Sequence, residues 1–470
     1  MNTLIYFVGQ VNDLLWNTLL IFLLCGVGIY YTIALGFVQL RYFKSGCRCL
    51  FGNISLFGKR ADKKGMSSFQ AVTTAIAGQV GTGNLAGPAT AILAGGPGAI
   101  FWMWVSSFLG MATIYAEAIL GQKFRTTDKE GQVVGGPAWY IENGLHCKWL
   151  AVIFAVLVIL ALGFIGNMVQ SNSIASAFHG SLHIPLWVCG LILAALTGFV
   201  IIGGIGSIAS FAEKIVPIKA VFYLLGTLFI LIYNYQYIIP AFKAIFIAAF
   251  NPQAVLGGGV GIAIQEAMRF GIARGLFSNE AGMGSTPHAH ALAKVERQEE
   301  QGFIAMMGVF VVAVIVTLTA LAIITSGLSM WDHSGRKVAS FMSVYSGMQG
   351  IELTQMAYNY VYGWFGSLFI SFALLFFAFS TIIGWYYYGE INIRYLFGSK
   401  KAVRIYQAIV IVFIFCASLF KVDLVWSMAD MFNGLMVLPN LIALIILSPI
   451  VIRLTRALKS VSENKNEISS

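Results

Sequence analysis

The chain has 470 residues, 58% of them hydrophobic and 10% charged, with a mean hydropathy of +0.81. Soluble globular proteins carry about 25% charged residues, so a soluble enzyme, a disordered regulator and a collagen-like chain are excluded. The net charge of +10, from 29 basic and 19 acidic residues, must be tested as a topology signal before it is read as affinity for nucleic acid.

Apolar segments fall at 12–38, 67–94, 98–120, 149–175, 185–205, 213–235, 255–292, 301–326, 363–389, 403–420 and 424–450. A spanning helix takes roughly 20 apolar residues, and 403–420 is the shortest of the set. The runs are long and unalternated, which argues against a β-barrel. The expected fold class is an all-α polytopic membrane protein of about eleven transmembrane helices. The first apolar segment lacks a basic leader and a small-residue cleavage site, so a retained helix is expected there. VVGGPAWYIENGL (133–145) reads as an interfacial element with Trp139 and Tyr140 at headgroup depth. The stretch 327–362 reads as the longest outer loop, and 453–470 as a short polar cytoplasmic tail.

Charge orients the bundle. If 39–65 is cytoplasmic, Arg41, Lys44, Arg48, Lys59, Arg60, Lys63 and Lys64 lie inside against one acid, Asp62. Alternating from there, Lys123, Arg125, Lys129, Lys148, Lys214, Lys294, Arg297, Arg394, Lys400, Lys401 and Arg404 also fall inside. The outside receives Lys243, Arg336, Lys337 and Lys421. An outside N-terminus and an inside C-terminus therefore satisfy the positive-inside rule. The basic excess is orientation, and no nucleic-acid partner is needed.

Two spans are interrupted. SFQAVTTAIAGQVGTGNLAGPATAILAGGPGAI (67–100) places Gly78, Gly81, Gly83, Gly87 and Pro88 near its middle, among polar Gln79, Thr82 and Asn84. Glycine costs about 1 kcal/mol in a helix interior, and freed backbone groups at membrane depth are tolerated only inside protein or beside a cavity. Small residues alone suit close helix packing, but packing does not call for the polar trio. A clustered break of this kind marks a discontinuous transporter helix, whose unwound carbonyls suit a cation and whose half-helix N-terminus suits a carboxylate.

The second interruption, RFGIARGLFSNEAGMGSTPHAHALA (269–293), echoes the first: Gly282-Met283-Gly284-Ser285 matches Gly81-Thr82-Gly83-Asn84, each followed by a proline, Pro287 and Pro88. Spans two to six and seven to eleven then form two sets of five, each opening on a broken helix. An odd number of spans per repeat inserts the second half upside down, the inverted-repeat plan of alternating-access carriers. The resulting division is 1–65, an extra N-terminal helix and basic loop; 66–235, the first repeat; 236–452, the second; and 453–470, the tail.

Ser380 and Thr381 are adjacent hydroxyls inside an apolar helix. Bonding to their own preceding carbonyls is the ordinary use of such residues; beside two broken helices, a Na⁺ site built from these hydroxyls and unwound carbonyls is the stronger expectation. Among intramembrane ionisable residues, Glu117 is expected to cap broken backbone or pair with an arginine, with a gating or coupling role as the rival. Glu280, inside the second break, is the leading acidic candidate, and Arg274 with Arg269 suits a gate closing on Glu266 or Glu280. His288 and His290 lack the further ligands a metal needs. No phosphate-binding G-x-x-x-x-G-K-[ST] run and no potassium-filter TVGYG run is present. No enzymatic cluster is apparent.

The runs GQVGTGNLAGPA, VVGGPAWYI and RGLFSNEAGMGS resemble the bacterial and archaeal sodium:alanine (or glycine) symporter family, and the likeness extends over nearly the whole chain. That family is similar in fold to the amino acid–polyamine–organocation superfamily, with two inverted five-helix repeats (LeuT-like). The resemblance implies cation-coupled uptake of a small neutral amino acid, alanine or glycine foremost, into a bacterial cell across the cytoplasmic membrane. Some members favour glutamine or serine, and proton coupling is the alternative to Na⁺. Carried onto this chain, carbonyls near Gly78, Gln79 and Val80, with Ser380 and Thr381, would hold Na⁺. Gln79, Gly81, Thr82, Gly83 and Asn84 would meet the substrate, with Phe277, Asn279 and Gly282 forming the opposing wall and Asn279 near the α-amine. Glu117, Arg274 and Glu280 are the expected gating or coupling residues. No cofactor is expected beyond Na⁺ as coupling ion, and a monomer in the lipid bilayer is the expected state.

Overall fold

Lipid offers the backbone no hydrogen-bond partner, so apolar runs of this length satisfy their own N–H and C=O groups as helices. A computed structural model describes residues 2–52, 65–251, 264–334, 341–345, 347–348 and 350–468. The basic residues Lys59, Arg60, Lys63 and Lys64, and Arg336 and Lys337 of the expected outer loop, lie outside the described residues.

In chain order the helices are α1 (Asn2–Leu14), α2 (Leu20–Ala34), α3 (Val38–Arg41), α4 (Phe43–Gly52), α5 (Ser68–Gln79), α6 (Thr82–Gly95) and α7 (Gly98–Lys123). There follow α8 (Pro137–Leu145), α9 (Lys148–Val158), α10 (Asn167–Leu182), α11 (Leu186–Ile202), α12 (Gly204–Tyr233) and α13 (Ile238–Phe250). The remainder are α14 (Ile264–Asn279), α15 (Pro287–His290), α16 (Gln298–His333), α17 (Ile351–Tyr362), α18 (Phe365–Phe397), α19 (Lys400–Ala417) and α20 (Val422–Ile468). Short π-helical segments, Leu15–Leu19 and Ile159–Gly166, join α1 to α2 and α9 to α10. A two-stranded antiparallel ribbon, Thr126–Thr127 with Val133–Val134, interrupts an otherwise helical fold.

Seven helical stretches among the described residues are long and apolar enough to cross a membrane. They are Ile5–Ala34, Gly98–Lys123, Lys148–Leu182, Gly204–Tyr233, Gln298–His333, Phe365–Phe397 and Val422–Leu458. The other expected spans are shorter pieces: the broken pairs α5–α6 and α14–α15, and the helices α11 and α19. The difference from the sequence count has a physical origin. A span divided by an unwound segment is two half-helices, neither long enough alone, whereas α11 is an unbroken helix of 17 residues and α19 one of 18 that begins with Lys400, Lys401 and Arg404.

The stretch 327–362 is not the open loop its polar residues suggest. Helix α16 runs on to His333, and α17 packs inward through buried Leu353 and Tyr358. Thr354 donates to the carbonyl of Leu85 at 2.8 Å and Gln355 to that of Ala177 at 3.1 Å. These polar side chains bind carbonyls of the bundle instead of solvent. At the other end, VVGGPAWYIENGL does form a short helix, α8, but Trp139 and Tyr140 are buried, with Tyr140 donating to Asn440.

The hydrophobic core runs through the whole bundle. Large apolar side chains such as Phe199, Leu225 and Ile232 point away from it and are exposed. In a chain of this hydropathy such faces suit lipid rather than water.

Candidate functional site

The first interruption lies between α5 and α6. Ser67 and Gln70 form a reciprocal capping box that starts α5, and the helix stops at Val80, whose φ and ψ of −96° and 80° leave the helical region. Gly81 is extended, at φ −127° and ψ −149°. Its N–H donates to the Asn84 side chain at 3.2 Å, and Asn84 N–H returns a bond to Gly81 O at 3.1 Å. Asn84 is thus the N-terminal staple of α6, satisfying donors that a helix start leaves open.

Three of the glycines here have an identifiable use. A Cβ on Gly81 would overlap the Thr381 hydroxyl and lie 2.9 Å from Gln170 Oε1. One on Gly83 would lie 2.8 Å from the Phe277 ring, and one on Gly78 2.9 Å from the Tyr388 hydroxyl. Gly87 differs: nothing lies within 4 Å of its would-be Cβ.

The second interruption follows α14. Glu280, Gly282 and Gly284 adopt φ values of 57°, 91° and 76°, a left-handed run that glycine makes cheaply and glutamate does not. Its amides are gathered by Glu117 on α7, which accepts from Gly282 N at 3.1 Å, Gly284 N at 2.9 Å and Asn440 Nδ2 at 2.6 Å. Glu117 therefore caps broken backbone, the structural half of its expectation. Glu280 accepts from Trp385 Nε1 at 2.6 Å and from the Ser285 hydroxyl. Neither carboxylate has a basic partner among the described residues.

The two breaks meet. Gln79 Nε2 donates to Asn279 O at 2.8 Å, and Gly83 faces Phe277. Phe277 packs edge-on against Trp385 and tilted against Trp426, with centroids at 5.6 and 5.0 Å. The Asn279 side chain is already committed: it accepts from Ala281 N at 3.0 Å and donates to Ser107 at 3.3 Å. Four buried polar atoms nearby have no partner among the described residues: Thr82 Oγ1, Asn84 Nδ2, Gln170 Nε2 and Ser278 Oγ. Unpaired buried polar atoms are rare in folded proteins, and a cluster containing donors and hydroxyls at two helix breaks is chemically suited to a small polar ligand.

Gln170 was not legible from the sequence. It sits in α10 and accepts from Thr82 N–H at 2.9 Å. The signal available was QSNS, a polar run within an apolar span, read only as part of the 149–175 segment. Lys219 was likewise missed. On α12, buried, it donates to Val80 O at 2.7 Å and to Ser380 Oγ at 2.6 Å. Thr381 donates to Ala77 O at 2.9 Å and Gly78 O at 3.0 Å. The hydroxyl pair does meet the unwound end of α5, but two of the oxygens expected to face Na⁺ are bonded to a lysine.

At one end of the bundle, Arg274 makes a two-pronged pair with Asp430, both bonds 2.7 Å, and its guanidinium lies 4.8 Å over the Trp426 ring. Its partner is Asp430, not the expected Glu266 or Glu280, because α20 rather than the second break stands across from it. Above the pair opens a cavity of about 310 Å³ lined by Asp13, Trp16, Arg269 and Arg274. At the opposite end Arg394 engages Glu390, Glu130 and Asp128 at 2.8, 3.5 and 3.6 Å. His288 contacts Ser285 O and Asn392, and His290 contacts Gln301. No metal-binding cluster occurs among the described residues.

Residues 1–469 match the model of the sodium:alanine symporter family. The chain belongs to the sodium:alanine symporter family. It is 41% identical over 463 residues to the sodium/alanine symporter AgcS of Methanococcus maripaludis, covering 97% of this chain and 98% of that one. It is 40% identical over 439 residues to the amino-acid carrier protein AlsT of Bacillus subtilis, covering 93% and 88%. Among solved structures, MhsT in complex with L-phenylalanine superposes with a TM-score of 0.58 at 14% identity, over 85% of this chain and 99% of that one. At that identity the likeness is one of fold. This member of the symporter family is a multi-pass membrane transporter, not an enzyme.

Proposed function

We propose that this family member is a Na⁺-coupled symporter that takes up a small neutral amino acid, alanine or glycine, by alternating access. The observation that carries the reading is the meeting of two helix breaks around unpartnered Thr82, Asn84, Gln170 and Ser278 atoms. The positive end of α6 suits a carboxylate. Carbonyls of the second break and the Ser278 hydroxyl suit an α-amine. Phe277, Trp385 and the closely packed glycines crowd this place, which suits a substrate with a short side chain. Names of relatives, a sodium/alanine symporter and an amino-acid carrier, support the same class.

In this reading the architecture is eleven spans: an N-terminal helix and two inverted five-helix repeats, each opening on a broken helix. The N-terminus lies outside and the C-terminus inside, following the basic loops. The Arg274–Asp430 pair then closes the outer mouth, and the Arg394 cluster the inner one. Opening of each in turn, with one helix set rocking against the other, would carry substrate and ion across. Each Na⁺ moved inward gains about 2.3 kcal/mol per 100 mV.

The test is uptake of labelled alanine by proteoliposomes, with Na⁺ outside or replaced by choline at fixed pH. Uptake that collapses in choline supports the reading, and uptake unchanged removes Na⁺ as the coupling ion. A proton-coupled carrier is the second reading, favoured by the burial of Glu280 beside the breaks without a basic partner among the described residues. A pH jump without Na⁺ separates the two: only the proton-coupled carrier would accumulate alanine.

A further inference from the structure

The oxygens of Val80, Ser380, Ala77 and Gly78 converge where α5 ends. Such a set of carbonyls and hydroxyls suits a monovalent cation. The C-terminus of α5 adds the negative end of a helix dipole, equivalent to roughly half an elementary charge. The chain itself sends a cation to this place. Lys219 Nζ, on α12, donates to Val80 O at 2.7 Å and to Ser380 Oγ at 2.6 Å. The Ser380 hydroxyl is free to accept because its own proton goes to Phe377 O at 2.8 Å. The Phe377 ring lies 5.2 Å from Nζ, within cation–π range.

Lys219 is 1% exposed, and no carboxylate lies within ion-pair distance of it among the described residues. Its Nζ is met by a helix end, a hydroxyl and an aromatic face, the same kinds of partner an alkali ion would use there. A second cation beside it would meet like charge in a site of low dielectric.

We infer that the Lys219 ammonium is the resident cation of this position. It ties the C-terminal end of α5 to α18, the work otherwise expected of a Na⁺ ion, and the coupling Na⁺ acts elsewhere in the chain. Lys219 is a positioning residue on this account: it fixes the segment that begins the substrate cradle without touching substrate. The inference deepens the transport reading and rests on it.

The test uses the full-length protein, purified and reconstituted, with alanine uptake and alanine binding both measured. Lys219→Ala should lower binding at least tenfold. Millimolar methylammonium, small enough to stand where the truncated side chain was, should restore it at least threefold, and tetramethylammonium should not. Ser380→Ala should slow uptake yet leave the Na⁺ concentration for half-maximal uptake within twofold of the parent. Near-normal binding by Lys219→Ala, or a loss that methylammonium does not repair, overturns the inference. So does a tenfold rise in that Na⁺ requirement in Ser380→Ala, which stands even if the lysine variant fails to fold. Uptake by the parent that ignores Na⁺ would defeat the coupling reading instead, while methylammonium rescue of binding would still support the resident lysine.

Discussion

Gln79 and Asn279 stand 200 positions apart in the chain, and the Gln79 amide donates to the Asn279 carbonyl at 2.8 Å. The bond joins the two interrupted helices at their breaks. It makes the unwound segments one structure: a shift in either is felt by the other.

Gln79→Ala removes that joint and leaves a buried carbonyl without its donor, a cost of about 1–3 kcal/mol. Alanine uptake should fall about tenfold, and the purified protein should melt at a lower temperature. A fluorescence melting curve and a parallel uptake assay report the two effects separately.

Two glycines of one motif should behave oppositely. Gly81→Ala drives a methyl group into Thr381 and Gln170 and should abolish uptake; Gly87→Ala meets nothing within 4 Å beyond its own chain neighbours and should leave uptake within about twofold. Gly87 lies inside α6 directly before Pro88, where a side chain is disfavoured in the helical region, so that variant should be somewhat less stable while still transporting. Expression-normalised uptake decides between them.

Gln170 orients Thr82 through its carbonyl and presents an unpartnered amide nitrogen to the same space. Gln170→Ala should raise the alanine concentration for half-maximal uptake by about tenfold, the equivalent of about 1.4 kcal/mol. The maximal rate should change less. Concentration-dependent uptake separates affinity from rate.

Arg274 grips Asp430 with two bonds, a geometry that lysine cannot reproduce. Arg274→Lys should reduce uptake several-fold. Asp430→Asn leaves the buried Arg274 guanidinium without its carboxylate, so it should be worse than the lysine variant. Exchanging the two residues should recover part of the activity. Accessibility of a cysteine placed at Ala273, which lines the cavity above the pair, should rise in Asp430→Asn.

Much of this was readable in the residues. Low charge and long apolar runs implied the bundle. The glycine clusters at 78–88 and 282–284 implied its two breaks, because glycine with polar neighbours is costly in a plain span. Ser380 and Thr381 do reach the first break. What escaped were partners set by tertiary packing. Lys219 lies midway along α12, and nothing in its own stretch of sequence names its partners until α5 and α18 close on it. Gln170 falls within a polar run whose facing residue depends on helix rotation. Arg274 was matched with nearby acids, whereas its partner Asp430 comes from a helix 156 positions away. The half-helices explain two of the four apolar segments that a length-and-composition rule passes over; α11, at 17 residues, is short, and α19 carries three basic residues near its start.

The most direct test of coupled transport is accumulation against a gradient. Proteoliposomes holding the purified protein would receive an inward Na⁺ gradient and an inside-negative potential of about 100 mV, worth about 2.3 kcal/mol per Na⁺. The account predicts labelled alanine rising well above its external concentration, by up to about 50-fold for one charge from the potential alone. Simple equilibration, with no response to either the Na⁺ gradient or the potential, would contradict it.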